Sequence, residues 1–243
     1  ALNGVTILYY NGTATGSPWG AKCVNGYVEG DFIYSDNTKT EIKAYIGTDT
    51  TVNIPDTVTT ISDKVFESNT TVITINMPNS VSVIGANVFD GCTNLTLVNL
   101  STNLTSIGAG AFSGCTNLAG NMYIPNGVTS IANYTFSGCS SLTNVTLPNS
   151  LTSIGTQSFR NCTSLTSITL PSTLTSIGQY AFENCSGLSG NITIPNGVTN
   201  IPSYVFNGCT GFDNITIPNT VSTIGTDAFK NVANIIYSGP ATG

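Results

Sequence analysis

Histidine is absent from this 243-residue chain, and charge is scarce: 7% of residues are Asp, Glu, Lys or Arg. Without histidine there is no Ser-His-Asp or Cys-His nucleophile pair and no His-ligated metal site. The 6 Lys and Arg are too few to build a basic patch, and a net charge of −6 works against binding to a phosphate backbone. No stretch approaches 18 uninterrupted apolar residues, so no membrane-spanning helix is written in the chain. Residues 1–10, ALNGVTILYY, have neither a basic start nor a small-residue cleavage site, so they do not read as a signal peptide. Met does not open the chain, which reads as a mature or trimmed piece of something longer. A disordered acidic segment is also excluded, because 40% of residues are hydrophobic. The polarity comes instead from Thr, Ser and Asn, a composition that suits a secreted β-rich protein.

What is present is periodic. Phe66, Phe89, Phe112, Phe136, Phe159, Phe182, Phe206 and Phe229 follow one another at steps of 23 or 24 residues. Ile61, Ile84, Ile107, Ile131, Ile154, Ile177, Ile201 and Ile224 keep the same register. Pro55, Pro78, Pro125, Pro148, Pro171, Pro195 and Pro218 share a slot whose one vacancy holds Ser101. Such a period marks a solenoid in which each coil buries its apolar face only against its neighbours. A longer period is superimposed: AGNMYIPNGVTSI and SGNITIPNGVTNI lie 70 residues apart, each with one extra residue, as duplication of a three-coil unit would leave them.

Residues 165–182 illustrate one coil. LTSITLP alternates Leu165, Ile168 and Leu170 inward with Ser167 and Thr169 outward, the pattern of a half-buried strand. Pro171 ends it. LTSIG buries Leu174 and Ile177, Gly178 turns the chain, and QYAFENC is expected to make one helical turn with Ala181, Phe182 and Cys185 on one side. Eight such coils at about 4.8 Å each give a rod roughly 40 Å long.

The pattern, as it stands in LTSITLPSTLTSIGQYAFENCSGL, resembles the BspA-like leucine-rich repeats over residues 48–237. That resemblance implies a repeat solenoid, β-rich α/β in class: a curved rod of about eight 23/24-residue coils with an N-terminal β-hairpin cap. It implies a surface or secreted, extracellular protein of the adhesion and matrix-binding kind, with no enzymatic activity and no cofactor. YYNGTATGSPWGAK followed by VNGYVEGDFIYSD is similar to the element that joins arrays in such proteins.

Residues 1–47 fall outside the period and read as a hairpin cap or inter-array linker, residues 48–237 as the solenoid, and residues 238–243 as the start of a further linker. VNGYVEGDFIYSD and TEIKAYIG predict a hairpin around Asp36 and Asn37, with a second turn at Asn25-Gly26. The closing NIIYSGPATG (234–243) matches TILYYNGTATG (6–16), which suggests one module of a tandem protein. Residues 6–10 would then be the last strand of a preceding array.

Two candidate chemistries give way to plainer ones. Cys92, Cys115, Cys139, Cys162, Cys185 and Cys209 each sit three residues after a Phe, with no CxxC spacing for zinc. A disulfide ladder between coils is sterically possible, since one coil pitch lies inside the allowed Cα range. The same slot holds Asn69 and Val232, which favours buried free thiols. Cys23 lies outside the array. Asp49, Asp56, Asp63, Glu67 and Asp90 show neither calcium-loop spacing nor a marked glycosidase pair, so they read as surface solvation and end-capping. No catalytic, metal or cofactor residue is assigned.

The concave strand face is the candidate binding surface. Its outward positions include Asn121, Tyr123, Asn144, Thr146, Ser167, Thr169, Asn191, Thr193, Asn214 and Thr216, in two columns of mostly short polar side chains. A shallow regular face suits an extended polymer or a protein better than a small molecule. Against this stands the plainer reading that Thr and Asn merely suit an exposed strand. Asn-x-Ser/Thr triplets at Asn144, Asn191 and Asn214 would carry glycans over this face in a eukaryotic source. The expected partners are an extracellular protein or polysaccharide, or copies of the chain end to end as a structural spacer or filament; nucleic acid and membrane insertion are not expected.

Overall fold

The computed structural model describes residues 7–10 and 22–238. At the N-terminus β1 (Ile7–Tyr10) pairs in parallel with β2 (Lys22–Asn25). Three antiparallel-linked strands follow, β3 (Tyr27–Glu29), β4 (Phe32–Tyr34) and β5 (Glu41–Tyr45). Asp36 and Asn37 lie in the β4–β5 loop, where the Asp36 carboxylate accepts the Thr38 N–H at 2.9 Å. The expected turn at Asn25-Gly26 is displaced. β2 and β3 do not pair with each other, and the tight turn falls at Gly30–Asp31, where Gly30 takes a φ of 57° that suits a glycine. SPWGA (17–21) and the last five residues, 239–243, lie outside the described residues, as does the side chain of Cys23.

The array then winds through two strand ladders. The first holds β6 (Thr51–Asn53), β8 (Thr74–Asn76), β10 (Leu97–Asn99), β12 (Gly120–Tyr123), β14 (Leu142–Thr146), β17 (Gly190–Thr193), β19 (Phe212–Ile217) and β21 (Ile235–Tyr237). The second holds β7 (Thr60–Ile61), β9 (Val83–Ile84), β11 (Ser106–Ile107), β13 (Ser130–Ile131), β15 (Ser153–Ile154), β16 (Ser176–Ile177), β18 (Asn200–Ile201) and β20 (Thr223–Ile224). All pairs within the two ladders are parallel, and the result is a solenoid of about nine coils. The hairpin joins it through β5, which pairs in parallel with β7.

The expected helical turn is not one; no helix occurs among the described residues. In QYAFENC alternate N–H groups leave the coil. Tyr180, Phe182 and Asn184 donate to Ser203, Val205 and Asn207 of the next coil, while Glu183 and Cys185 donate three residues back, to Tyr180 and Phe182. Tyr180 and Asn184 both take a φ of 59° to make this alternation. An i→i−4 helix would consume the N–H groups that here bind coil to coil. LTSITLP also departs from expectation. Leu165, Ile168 and Leu170 are buried, but the only pairing is an isolated bridge from Ser167 to Asn144. On its C-terminal side β17 begins with the extra residue and pairs only with β19.

The Phe column forms the spine. Rings from Phe66 to Phe206 stack nearly parallel with centroids 5.2 to 5.4 Å apart, and Phe229 continues the column at 6.0 Å. At the N-terminal end the hairpin closes it: Tyr45 lies 4.9 Å from Phe66, and Phe32 lies 5.4 Å from Tyr45. Beside the rings run six buried free thiols. Each donates to the carbonyl of the Phe one coil earlier, as Cys162 does to Phe136 at 3.1 Å and Cys185 to Phe159 at 2.9 Å. Burial pushes the Cys92, Cys162 and Cys209 thiols up to about 12 and the other three well above their ordinary value.

Both ladders stop at the same two coil junctions, between β10/β11 and β12/β13 and between residues 167–177 and β17/β18. The array is thus three blocks of three coils, matching the 70-residue period. The cause lies in one slot, which holds Ser62, Gly85 and Gly108, then Ala132, Gly155 and Gly178, then Pro202 and Gly225. Within a block the glycine N–H donates to the Ile carbonyl one coil back, as Gly155 does to Ile131 at 2.8 Å. A Cβ on Gly108 would lie 2.4 Å from the Gly85 carbonyl carbon. Ala132 carries that Cβ and Pro202 has no N–H, so the second ladder does not close at those two junctions, whereas Ser62, whose neighbour is the hairpin strand β5, donates its N–H to Ile42 at 3.0 Å. The opposite side stays continuous: Phe112 donates to Thr135 at 2.9 Å and Phe182 to Val205 at 2.9 Å across the same junctions.

Candidate functional site

The strand alternation places every expected site residue on the outward face of the first ladder. Met122, Val145, Ile192 and Ile215 point into the core at 4% exposure or less and hold their strands down. Asn121, Tyr123, Ser167, Thr169, Asn191 and Thr193 are exposed, and Asn144, Thr146, Asn214 and Thr216 are half-buried. Register then fixes neighbours. Asn121 stands beside Asn144 and Tyr123 beside Thr146, while Asn191 stands beside Asn214 and Thr193 beside Thr216.

The structure does not bring all ten together in one sheet. The junction after residues 165–171 separates Ser167 and Thr169 from Asn191 and Thr193, so the face falls into two patches. Within a patch side chains bond along the rod. Asn214 Nδ2 donates to Asn191 Oδ1 at 2.8 Å, and Thr146 Oγ1 donates to Asn121 Oδ1 at 3.4 Å. The first block continues the column with an amide ladder, Asn76 Nδ2 to Asn53 Oδ1 at 2.8 Å and Asn99 Nδ2 to Asn76 Oδ1 at 2.6 Å.

At the first junction the amide ladder ends and the face opens into a groove of about 390 Å³ between β10 and β12. Asn99, Leu100 and Thr102 line one side; Asn121, Tyr123 and Asn126 line the other. Tyr123 is 61% exposed, the largest fraction of any large apolar or aromatic side chain described, and Leu97 on the facing strand is 46% exposed. No lining residue is charged. Outward alternation alone does not reach Leu100, Thr102 and Asn126. The signal that finds them is the 24-residue step before Tyr123. A smaller recess of about 230 Å³ separates Asn144–Thr146 from Ser167–Thr169.

Titratable chemistry lies elsewhere. Among the described residues no group of three or more Cys, Asp or Glu is placed to hold a metal ion. Of the acidic residues singled out, Asp63 accepts the Ala86 N–H at 2.7 Å and Glu67 pairs with Lys64 at 2.9 Å. A carboxylate not singled out is the most buried: Glu183, 8% exposed, pairs with Arg160 Nε at 2.5 Å and accepts from Asn207 at 3.2 Å, tying three successive coils together.

A family model described as the BspA-type leucine-rich repeat region matches residues 38–142 and 119–236. Among solved structures, a leucine-rich cell surface protein from Faecalibacterium prausnitzii is 28% identical with a TM-score of 0.57, over 93% of this chain and 78% of its own. A leucine-rich repeat protein from T. pallidum is 25% identical with a TM-score of 0.54, over 84% of this chain and 88% of its own. A leucine-rich repeat protein from Bacteroides ovatus, 20% identical over 97% of this chain and 74% of its own, shares the fold with a TM-score of 0.53. No curated protein matches the chain.

Proposed function

We propose, from the premise that the chain belongs to the BspA-type leucine-rich-repeat family, that it is a non-catalytic binding module working at a cell surface or in secreted form. It takes an extracellular protein or polysaccharide on the outward face of the first ladder. The observation that carries this reading is the face itself: an uncharged row of amides and hydroxyls repeated coil after coil, opened by a groove and a smaller recess, with Tyr123 exposed beside the groove. Such a surface offers many weak polar contacts along a line, which fits an extended ligand. The localisation follows the leucine-rich cell surface protein it resembles. The test is capture from a panel of neutral polysaccharides and matrix proteins by the wild type and by a Thr146→Lys, Thr169→Lys, Thr193→Lys variant. Loss of capture with a nearly unchanged melting curve supports the reading, because Thr169 and Thr193 are exposed and Thr146 is half-buried, outward positions that tolerate substitution at modest cost. Equal capture by the folded variant places the site elsewhere.

A second reading is favoured by the last coil. Ile224, Ile235, Ile236 and Tyr237 are 46% to 55% exposed. Among the described residues β20 and β21 each pair on one edge only. An apolar coil face of this kind suits pairing with another protein surface, and a second copy end to end is the occupant this reading takes.

A further inference from the structure

We infer that the groove between β10 and β12 is a subsite for a neutral sugar residue, with Tyr123 as its stacking platform. The inference rests on reading the first ladder as the binding face, and it names the ligand class and the point of tightest contact.

The chemistry of the lining selects the class. None of the groove residues is charged, so a phosphate or carboxylate would lose its water with no counter-charge to meet it. A sugar ring has an apolar C–H face and a rim of hydroxyls that both donate and accept. The groove offers the complement of each. The Tyr123 ring stands 61% exposed, with Leu97 across the junction. Asn99 spends its Nδ2 on Asn76 and keeps Oδ1 as an acceptor, while Asn121 accepts from Thr146 and keeps Nδ2 as a donor. The two free functions are opposite in kind and lie on opposite walls.

Size and backbone geometry exclude an added peptide strand. A strand needs about 4.8 Å of clearance on each side. Across this same junction the Phe112 and Phe136 rings stand 5.4 Å apart, one ordinary coil step. The ladder is therefore parted locally, at the extra residue before Tyr123, and no strand is missing from it. The volume of about 390 Å³ sits at the small end of ligand sites, suited to one or two sugar rings of a longer chain. The smaller recess beside Thr169 has no such platform: the other coils carry Asn or Thr where this one carries Tyr123, and the last carries Ile236, so the sugar chain is gripped most tightly at one register along the face.

Affinity electrophoresis through gels containing soluble neutral polysaccharides (a β-mannan, an arabinoxylan, an α-glucan) tests the assignment. The wild type should be retarded by at least one of them. Tyr123→Ala should weaken that retardation by about tenfold or more, and Tyr123→Phe should stay within about threefold, since the ring and not its hydroxyl carries the contact. Melting curves of both variants should match the wild type, because the side chain is exposed. If no neutral polysaccharide retards the wild type while a matrix protein is captured and lost in the triple-lysine variant, the binding face stands and the sugar subsite falls. If a polysaccharide is retained equally by Tyr123→Ala yet lost in the triple-lysine variant, the subsite again falls alone. If both variants retain it, subsite and face fall together.

Discussion

Gly155 lies so close to Ala132 of the preceding coil that a Cβ on it would stand 2.6 Å from the Ala132 carbonyl carbon. The two residues occupy the same slot of successive coils, yet one needs to be glycine and the other does not. Ala132 opens a block, where the preceding coil has parted; Gly155 sits inside one, where the ladder is closed.

Gly155→Ala is therefore expected to destabilise the rod by about 1–3 kcal/mol through overpacking against backbone. The reverse change, Ala132→Gly, should cost no more than about 1 kcal/mol, the ordinary entropic penalty of glycine. Urea melts of the two variants check the asymmetry. Equal effects would mean that the slot does not govern where the ladders close.

The Phe column predicts a larger loss. Phe159 is fully buried between Phe136 at 5.4 Å and Phe182 at 5.3 Å. Phe159→Ala should cost about 3–5 kcal/mol in denaturant melts. A loss below about 1 kcal/mol would contradict the register of the column, since it lies far under the usual Phe-to-Ala range.

Ser158 makes a prediction of opposite sign. Its hydroxyl is fully buried and has no protein partner, while the same slot holds Ala111, Ala181 and Ala228 in other coils. Ser158→Ala should raise stability by about 1 kcal/mol, because an unpaired buried hydroxyl costs more than it returns. A loss of stability on this change would mean that the hydroxyl is paired in solution.

The thiols predict both reactivity and pH dependence. In the native state the six array cysteines should resist a thiol reagent, and after denaturation without reductant all six should react; peptide mapping that finds links between neighbouring coils would contradict this. Their folded pKa values lie above the ordinary 9.0, at about 12 for Cys92, Cys162 and Cys209. The unfolded chain therefore loses these protons first as pH rises. The thiol contribution is full below about pH 9 and declines between there and about pH 12. Thermal melts across that window should show a falling midpoint, with a shallower fall in a Cys139→Val variant.

For the open end, sedimentation of the wild type should show association that rises with concentration, and Ile236→Lys should abolish it while leaving the fold intact. A wild type that stays monomeric at high concentration removes the end-to-end reading.

The period and the inward set were determined by the sequence alone. Phe66 to Phe206, Ile61 to Ile201 and the six cysteines all land in one core, because a coil with a two-residue alternation has only one apolar side to bury; in the last coil Phe229 is half-buried and Ile224 stands exposed. The outward places of Tyr123 and Thr193 follow from the same alternation. The hairpin around Asp36 was legible from its alternating flanks and polar turn. Hydrogen-bond partners that lie a full coil away were not legible. QYAFENC has the composition of a helical turn, but its alternate N–H groups find carbonyls 23 residues onward, as Phe182 does in Val205, and the chain takes left-handed residues at Tyr180 and Asn184 to reach them. Residues 167–170 of LTSITLP alternate outward and inward and still form only an isolated bridge, because pairing depends on where the neighbouring coils lie. The groove beside Tyr123 was decided the same way. The extra residue before Tyr123 is visible in the sequence, but only stacked coils turn it into a parting of the sheet, since close approach is a property of two backbones and not of one.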